Sequence, residues 1–144
     1  MSDRTRIDRR GADLGRIVCP PALNMVLGDE YKSKLDVFKE RAENNQCQTG
    51  QGMWAGSHVD AHKCVLVTVG TMLGFQPGHL VLDWGSGCGH MLTWARMFFD
   101  VRGLGVEATN AVRWAEVYSA GRFCQADGRN LSWIPDDVFD YAIS

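Results

Sequence analysis

A glycine-rich segment, VLDWGSGCGH at residues 81–90, has the residue types of a small-molecule site. An apolar run contains Asp83, and Gly85, Gly87 and Gly89 then follow at every second position. Because glycine has no Cβ and accepts unusual backbone angles, a turn built from it lets a ligand lie close to the main chain. A carboxylate in the mouth of such a site repels a pyrophosphate and suits a ligand with an amine or another cationic group.

The elements that must position this turn alternate between strands and helices after residue 79. The pattern predicts strands over 79–84, 101–107, 122–127 and 138–144, with helices over 89–99 and from Thr109 or Asn110 through Ser119. In the first of these helices Leu92, Ala95, Phe98 and Phe99 are expected to face inward. Strands separated by helices of about ten residues predict βαβ units and a parallel sheet.

The chain before this alternation is predicted to have a different character. Residues 1–28 are interpreted as a flexible charged lead-in, and residues 29–56 as a surface helix followed by a connecting loop. Ser57 is expected to cap a further helix that Gly74 ends. The unit that carries the glycine turn is therefore predicted to span residues 57–144.

The composition excludes several classes of protein. The 144 residues are 45% hydrophobic with a formal net charge of −2, which does not favour broad binding to nucleic acid or to acidic membranes. The longest apolar stretch, residues 64–75, is too short to span a bilayer. The five cysteines form no CxxC pair, so we expect reduced thiols, no zinc site and no disulfide framework. These features predict a soluble, cytoplasmic protein.

The segment VLDWGSGCG resembles the first motif of the class I S-adenosylmethionine-dependent methyltransferases, a strand ending in D-x-G-x-G-x-G. Further matches follow in the order of that family: Glu107 after GLGVE, Asp127 in CQADGRNL, and the phrase LSWIPDDVFDYAIS. The resemblance covers about residues 57–144. It implies an α/β fold, with a Rossmann-like parallel sheet flanked by helices, and S-adenosyl-L-methionine as the cofactor.

The resemblance also implies roles for individual residues. Asp83 holds the glycine turn and favours the ammonium end of the cofactor, Glu107 accepts both ribose hydroxyls, and Asp127 accepts from the adenine amino group. The full set of cofactor-binding residues that it implies is Asp83, Trp84, Gly85, Ser86, Gly87, Gly89, Glu107, Ala108, Asp127 and Gly128.

The family resemblance implies a longer sheet than these residues supply. Its usual fold has seven strands, and the chain ends at Ser144 within the fourth. We therefore expect the cofactor-binding N-terminal portion of a methyltransferase that acts on a small molecule, apparently truncated, with its catalytic base unknown. An unpaired edge on the fourth strand would favour self-association.

Other functions stay open at this stage. The chain could be a non-catalytic cofactor-binding or pairing subunit, or an NAD-dependent oxidoreductase with an atypical turn, although His90 stands where the dinucleotide fingerprint has its third glycine. The segment HVDAH, residues 58–62, has the spacing of two zinc ligands. Since no third ligand is evident, a capped helix start is the favoured interpretation, and no metal site is predicted.

Overall fold

The computed structural model describes residues 14–21, 57–109, 111–118 and 121–144. The predicted helix and loop over residues 29–56 lie outside the described residues. From residue 57 onward the predicted order of helices and strands is confirmed: α1 (Ser57–Leu73), β1 (Leu80–Trp84), α2 (His90–Phe99), β2 (Arg102–Glu107), α3 (Ala111–Tyr118), β3 (Arg122–Gln125) and β4 (Tyr141–Ile143).

The four strands form one parallel sheet in the order β3-β2-β1-β4. The predicted α/β class with a Rossmann-like parallel sheet is therefore confirmed. β1 lies between β2 and β4, with Asp83 paired to Gly105 on one side and to Ile143 on the other. The chain order reverses at this point of the sheet, and ligands of open α/β folds bind outside the strand ends at such a reversal.

Alternate residues of the strands bury apolar side chains on opposite faces of the sheet. Val81 faces a core formed with α1, α2 and α3, whereas its neighbour Leu80 faces a second core. Successive side chains of a strand point to opposite sides, and a strand buried on both faces has apolar residues throughout. The run HLVLDW therefore reads as a continuous apolar strand, not as an alternating one.

Residues 14–17, which lie within the predicted flexible lead-in of residues 1–28, pack against the sheet. Residues 14–16 form a helical turn, and Leu14 and Ile17 are buried in the second core. The Arg122 guanidinium donates to the Leu14 carbonyl and ties the segment to the start of β3. Two apolar residues among many charges are a weak sequence signal, but they cover a sheet face that would otherwise be exposed.

A disulfide between Cys19 and Cys124 corrects the expectation of reduced thiols. The two cysteines are 105 residues apart in sequence, yet their Cα atoms lie 5.3 Å apart because Cys19 follows the buried N-terminal segment across β3. Wide spacing along the chain carries no information about such a contact. Cys64 is an exposed free thiol.

One residue of α2 faces the opposite way from the prediction. Leu92 and Ala95 are buried as expected, but Phe98 is 48% exposed. At 100° per residue, Phe98 lies roughly 120° around the helix from Leu92 and so turns away from the sheet.

In the ranges that the structure describes, the helices are too short or too polar for any of them to cross a bilayer.

Candidate functional site

A cavity of about 370 Å³ opens at the carboxyl ends of β1, β2 and β4, where the order of the strands reverses. The glycine turn between β1 and α2 forms its floor. Residues from α1, from α2 and from the end of β2 complete the wall, and the lining residues are His62, Asp83, Gly85, Ser86, Gly87, His90, Met91, Trp94, Glu107, Thr109 and Ser144.

The three glycines of the turn all adopt backbone angles that disfavour other residues. Their φ values are 77° at Gly85, 51° at Gly87 and 80° at Gly89. A Cβ built at Gly85 or Gly87 meets no atom within 4 Å, because both positions face open space. The turn therefore needs glycine for its backbone conformation, and it leaves room for a ligand directly above it.

The main-chain amides of this turn are already bonded within the protein. Gly85 N and Ser86 N both donate to Val106 O, at 2.8 and 3.2 Å, and Gly89 N donates to Ser86 O at 2.8 Å. Gly87 N donates to the Glu107 carboxylate at 2.9 Å. A phosphate-binding loop presents such amides to its ligand. Here four of them are used internally.

Glu107 holds the glycine turn and the loop after β2 together. Its Oε2 accepts from Gly87 N and its Oε1 from Thr109 N, each at 2.9 Å. The resemblance assigned the holding of the turn to Asp83, which stays a prediction, and the two hydrogen bonds of Glu107 are contacts that the resemblance did not assign. Each carboxylate oxygen has two lone pairs, so Glu107 retains acceptor capacity toward the cavity.

Asp83 is a buried carboxyl group, only 2% exposed, at the end of the central strand. Among the described residues, its Oδ2 has no hydrogen-bond partner. Burial, and then repulsion from the Glu107 carboxylate, raises the pKa of Asp83 from its ordinary 3.8 to about 7. A buried polar atom without a partner is costly, so its presence in a cavity wall is a reason to expect a ligand there.

Ser86 is a second buried polar group in the turn. Its side chain is 8% exposed, and its Oγ has no partner within the described part of the chain. Gly105 leaves the space that this hydroxyl occupies, because a Cβ at that position would collide with it. The cavity floor thus presents one carboxyl group and one hydroxyl group whose hydrogen bonds a ligand can complete.

Five of the residues assigned by resemblance do not line the cavity: Trp84, Gly89, Ala108, Asp127 and Gly128. The Trp84 indole N–H donates to Gly128 O at 3.1 Å, and any side chain at Gly128 would collide with the indole. Trp84 therefore fixes the loop after β3 against the end of β1.

The Asp127 carboxylate is held by its neighbour Arg129. Arg129 donates from Nε to Oδ1 at 2.9 Å and from Nη2 to Oδ2 at 2.8 Å. These side-chain hydrogen bonds are the largest cause that lowers the pKa of Asp127. Asp127 is thus an ionised group at the carboxyl end of β3, and its contact with adenine stays a prediction.

The cavity also has a helical wall, which the sequence did not predict. It consists of His62 from α1 and of His90, Met91 and Trp94 from α2. Burial, and then the nearby His62, lowers the pKa of His90 to about 4, so its imidazole is neutral at neutral pH. The His90 ring packs beside Trp94 with their centroids 5.5 Å apart. Helical spacing in HVDAH was the available signal for His62, and it pointed to a metal site or a helix start.

Among the described residues, no group of three or more His, Cys, Asp or Glu side chains could hold a metal ion. The side chains of His58 and Asp60 lie outside the described set. The side chains that line the cavity include two carboxyl groups, three hydroxyl groups and two imidazoles, together with Met91 and Trp94.

Comparison with known proteins finds solved structures with a similar fold. No protein-family model and no curated protein matches the chain. One similar structure is the complex between the Haloferax volcanii Trm112 methyltransferase activator and a methyltransferase. The matching chain of that complex is 23% identical over 65% of this chain and 40% of its own, with a TM-score of 0.52. Identity at this level is evidence about the fold alone.

Two other solved structures are similar over part of the chain. The Synechocystis PCC 6803 magnesium protoporphyrin IX methyltransferase with bound S-adenosylmethionine is 19% identical over 72% of this chain and 57% of its own, with a TM-score of 0.49. The Salinibacter ruber RNA methyltransferase with S-adenosyl-L-homocysteine is 22% identical over 47% and 50%, with a TM-score of 0.45. The chain thus spans 40–57% of the length of these three structures. The described residues from 57 onward have a Rossmann-like methyltransferase fold.

Proposed function

We propose that this chain carries the S-adenosyl-L-methionine site of a methyltransferase that acts on a small molecule. The observation that carries the proposal is the pair of carboxyl groups, Asp83 and Glu107, beside a glycine turn whose amides are bonded within the protein. This arrangement rejects a phosphate and favours a ligand that combines hydroxyl groups with a positive charge.

The residues of the cavity fit this cofactor. The free acceptor capacity of Glu107 suits the two hydroxyls of a ribose, and the open space above Gly85 and Gly87 lets the ligand lie against the main chain. Asp83 faces the same cavity and suits an ammonium group. A bound cation favours the ionised form of Asp83, so binding would release a proton and strengthen as the pH rises toward 7.

Four further residues are proposed to complete the adenosine end of the site: Trp84, Ala108, Asp127 and Gly128. They lie at the carboxyl ends of neighbouring parallel strands, next to the cavity lining. Trp84 would act by fixing Gly128, and Asp127 would use lone pairs that Arg129 leaves available. When bound, S-adenosylmethionine supplies a methyl group on a positively charged sulfur atom, and the protein orients it.

Calorimetry tests the site directly. We expect S-adenosyl-L-homocysteine to bind the wild-type chain and NAD(H) not to bind. Replacing Glu107 by Gln removes the charge from a hydrogen-bonded group, so we expect affinity to fall by about 10- to 100-fold. Glu116→Gln is the matched control, because Glu116 is exposed on α3 away from the cavity, and it should leave affinity unchanged.

Each alternative function gives a different result in this experiment. Binding of NAD(H) instead of the thioether would establish a nicotinamide site and overturn the proposal. Cofactor binding without methyl transfer to any acceptor would favour a non-catalytic or pairing subunit.

We also propose that the protein acts in the cytoplasm. Protein disulfides are rare in that compartment, so this proposal predicts that the Cys19–Cys124 bond seen in the structure is reduced inside the cell. Alkylation of thiols at the moment of lysis, followed by mass spectrometry, measures this. Alkylation of both cysteines is the expected result, and an unmodified, oxidised pair would argue for another compartment.

A further inference from the structure

A second cavity, of about 280 Å³, lies at the amino ends of β2 and β3, the opposite end of the sheet from the glycine turn. It is called the arginine cavity below, because Arg96 from α2, Arg102 at the start of β2 and Arg122 at the start of β3 line it. Among the described residues that line this cavity, none is acidic. The whole chain has a formal net charge of −2, so this concentration of positive charge is a local feature.

Arg102 and Arg122 project from the same face of the sheet. Leu104 pairs with Arg122 across β2 and β3, and the Leu104 side chain lies in the second core. Because alternate residues of a strand face the same side, Arg102 shares that face. The spacing within and between strands places the Cα atoms of Arg102 and Arg122 roughly 8 Å apart. Two positive charges held this close repel each other, so an anion between them would be stabilised.

Contacts within the protein hold two of the three guanidinium groups at this cavity. The Arg122 guanidinium donates to the Leu14 carbonyl, and Arg96 Nη1 forms an ion pair with Asp100 Oδ1 at 2.7 Å. A guanidinium group has five N–H donors, so both side chains retain donors for a ligand. The Arg102 side chain is exposed, and no carboxylate of the described residues forms an ion pair with it. The fold therefore orients two cationic groups and leaves a third available beside them.

We propose that the arginine cavity is a second ligand site, which binds the phosphate group of a small phosphorylated molecule. Asp100 offsets one of the three arginine charges, and the remaining charge matches that of a phosphate monoester, about −2 near neutral pH. Guanidinium groups bind phosphate oxygens through paired, charge-assisted hydrogen bonds. This proposal does not depend on the cofactor site at the other end of the sheet.

The rest of the lining favours a small ester over a nucleic acid. Leu14 and Val101, both buried, contribute apolar side chains to the cavity. A phosphate group attached to an apolar body would contact these side chains as well as the arginines. The cavity is concave and close in size to the pockets that hold small ligands, whereas a polymer of phosphates needs an extended surface.

NMR titration of the full chain with phenyl phosphate tests the proposal. We expect the amide signals of Gly103 and Gly121, which line the arginine cavity, to shift saturably with a Kd of about 1 mM or below. The signals of Gly85 and Gly87 should not move, because the carboxyl groups of the first cavity repel a phosphate. Phenol, which lacks the charge, should not bind. Inorganic phosphate distinguishes the two sources of the anion: weaker binding than phenyl phosphate assigns an ester, and equal binding assigns the free ion.

Three matched variants assign the binding to the arginines. Arg102→Gln removes the charge of an exposed side chain, so the variant should fold and should bind phenyl phosphate about 10-fold or more weakly. Arg96→Gln is a second variant with the same expected direction. Arg16→Gln is the control, because Arg16 is an exposed arginine of the N-terminal segment outside the cavity lining, and it should leave the affinity unchanged.

Three results would overturn the proposal. The first is the absence of saturable shifts at Gly103 and Gly121 with either phosphate probe. The second is wild-type affinity in both Arg102→Gln and Arg96→Gln, which would mean that the arginines do not bind the anion. The third is tighter binding of a single-stranded oligonucleotide than of phenyl phosphate at the same arginines, which would identify a nucleic-acid surface instead. None of these measurements uses S-adenosylhomocysteine, so they leave the proposed function to its own test.

Discussion

Asp83 and Glu107 are carboxyl groups at the ends of adjacent strands, yet their surroundings give them different properties. Glu107 accepts two main-chain hydrogen bonds, which stabilise its charge. Asp83 is buried, with one oxygen lacking a partner among the described residues, and the neighbouring negative charge opposes its ionisation. At the residue scale, the ionised form of Asp83 is unfavourable in the empty cavity, and a bound cation would stabilise it.

The cost of this charge predicts how stability depends on pH. The folded-state pKa of Asp83 lies above its ordinary 3.8, at about 7, so ionisation destabilises the fold. The cost is absent below about pH 4, grows as the pH rises to about 7 and is then constant, reaching ~4 kcal/mol. We therefore expect Asp83→Asn to gain stability over the wild type by this amount between pH 4 and pH 8.

Urea denaturation of both proteins at each pH measures the difference in the free energy of unfolding. The opposite effect of His90, whose lowered pKa destabilises the fold as the pH falls toward 4, is present in both proteins and cancels. A difference that does not change with pH would contradict the buried-charge argument. The same variant should bind S-adenosylhomocysteine more weakly.

The glycine turn is the element that links the sheet to the site. Its backbone conformation excludes side chains at positive φ, and two of its glycines open onto the cavity. Thr109 performs a related task at the next strand end: its Oγ1 accepts from Ala111 N and caps α3. Each connection from a strand to a helix therefore ends a strand, starts a helix and contributes to the cavity wall.

A matched pair of glycine substitutions separates strain from ligand exclusion. Gly85 and Gly74 have nearly equal φ values, 77° and 74°, and a Cβ at either meets no atom within 4 Å. Alanine at either position should destabilise the fold by about 1 kcal/mol, because both are held at positive φ. Only Gly85→Ala should abolish binding of S-adenosylhomocysteine, since Gly74 follows α1 outside the cavity lining. Equal binding by the two variants would show that the ligand does not lie over the turn.

The whole molecule depends on contacts between distant parts of the chain. Leu14 and Ile17 cover the sheet face opposite α2, and the bond from Cys19 to Cys124 fixes them there. This half of the core includes the loop between β3 and β4, in which Leu131, Trp133 and Ile134 are half-buried. One face of the sheet is thus covered by helices and the other by irregular segments.

Removing the disulfide tests how much this covering segment stabilises the fold. A loop of 105 residues loses much of its unfolded-state entropy when it is closed, so we expect Cys19→Ser to lower the free energy of unfolding by ~4 kcal/mol. Cys64→Ser is the control, because Cys64 is an exposed free thiol, and it should change little. Equal stability of the two variants in urea would mean that the N-terminal segment does not depend on the bond.

The sequence by itself determined the parts of this protein that depend on neighbouring residues. Apolar runs and helical periods predicted the elements from residue 57 onward, and the glycines after Asp83 predicted a turn open to a ligand. Glu107 was identified through the family resemblance, which implies an acid at the end of the second strand. Such features depend on residues that are only a few positions apart, so a single sequence is enough to recognise them.

Only the tertiary structure decided which distant groups meet. It placed Ile17 in the core, joined Cys19 to Cys124, gave Glu107 the hold on the glycine turn and brought His62 to the cavity. None of these contacts has a local signal, because each is fixed by how the sheet and helices pack, across separations of 20 residues or more. The sequence predicted the glycines and carboxyl groups of the cavity floor. Only the packing of α1 and α2 against the sheet showed that His62, His90, Met91 and Trp94 form a wall of the same cavity.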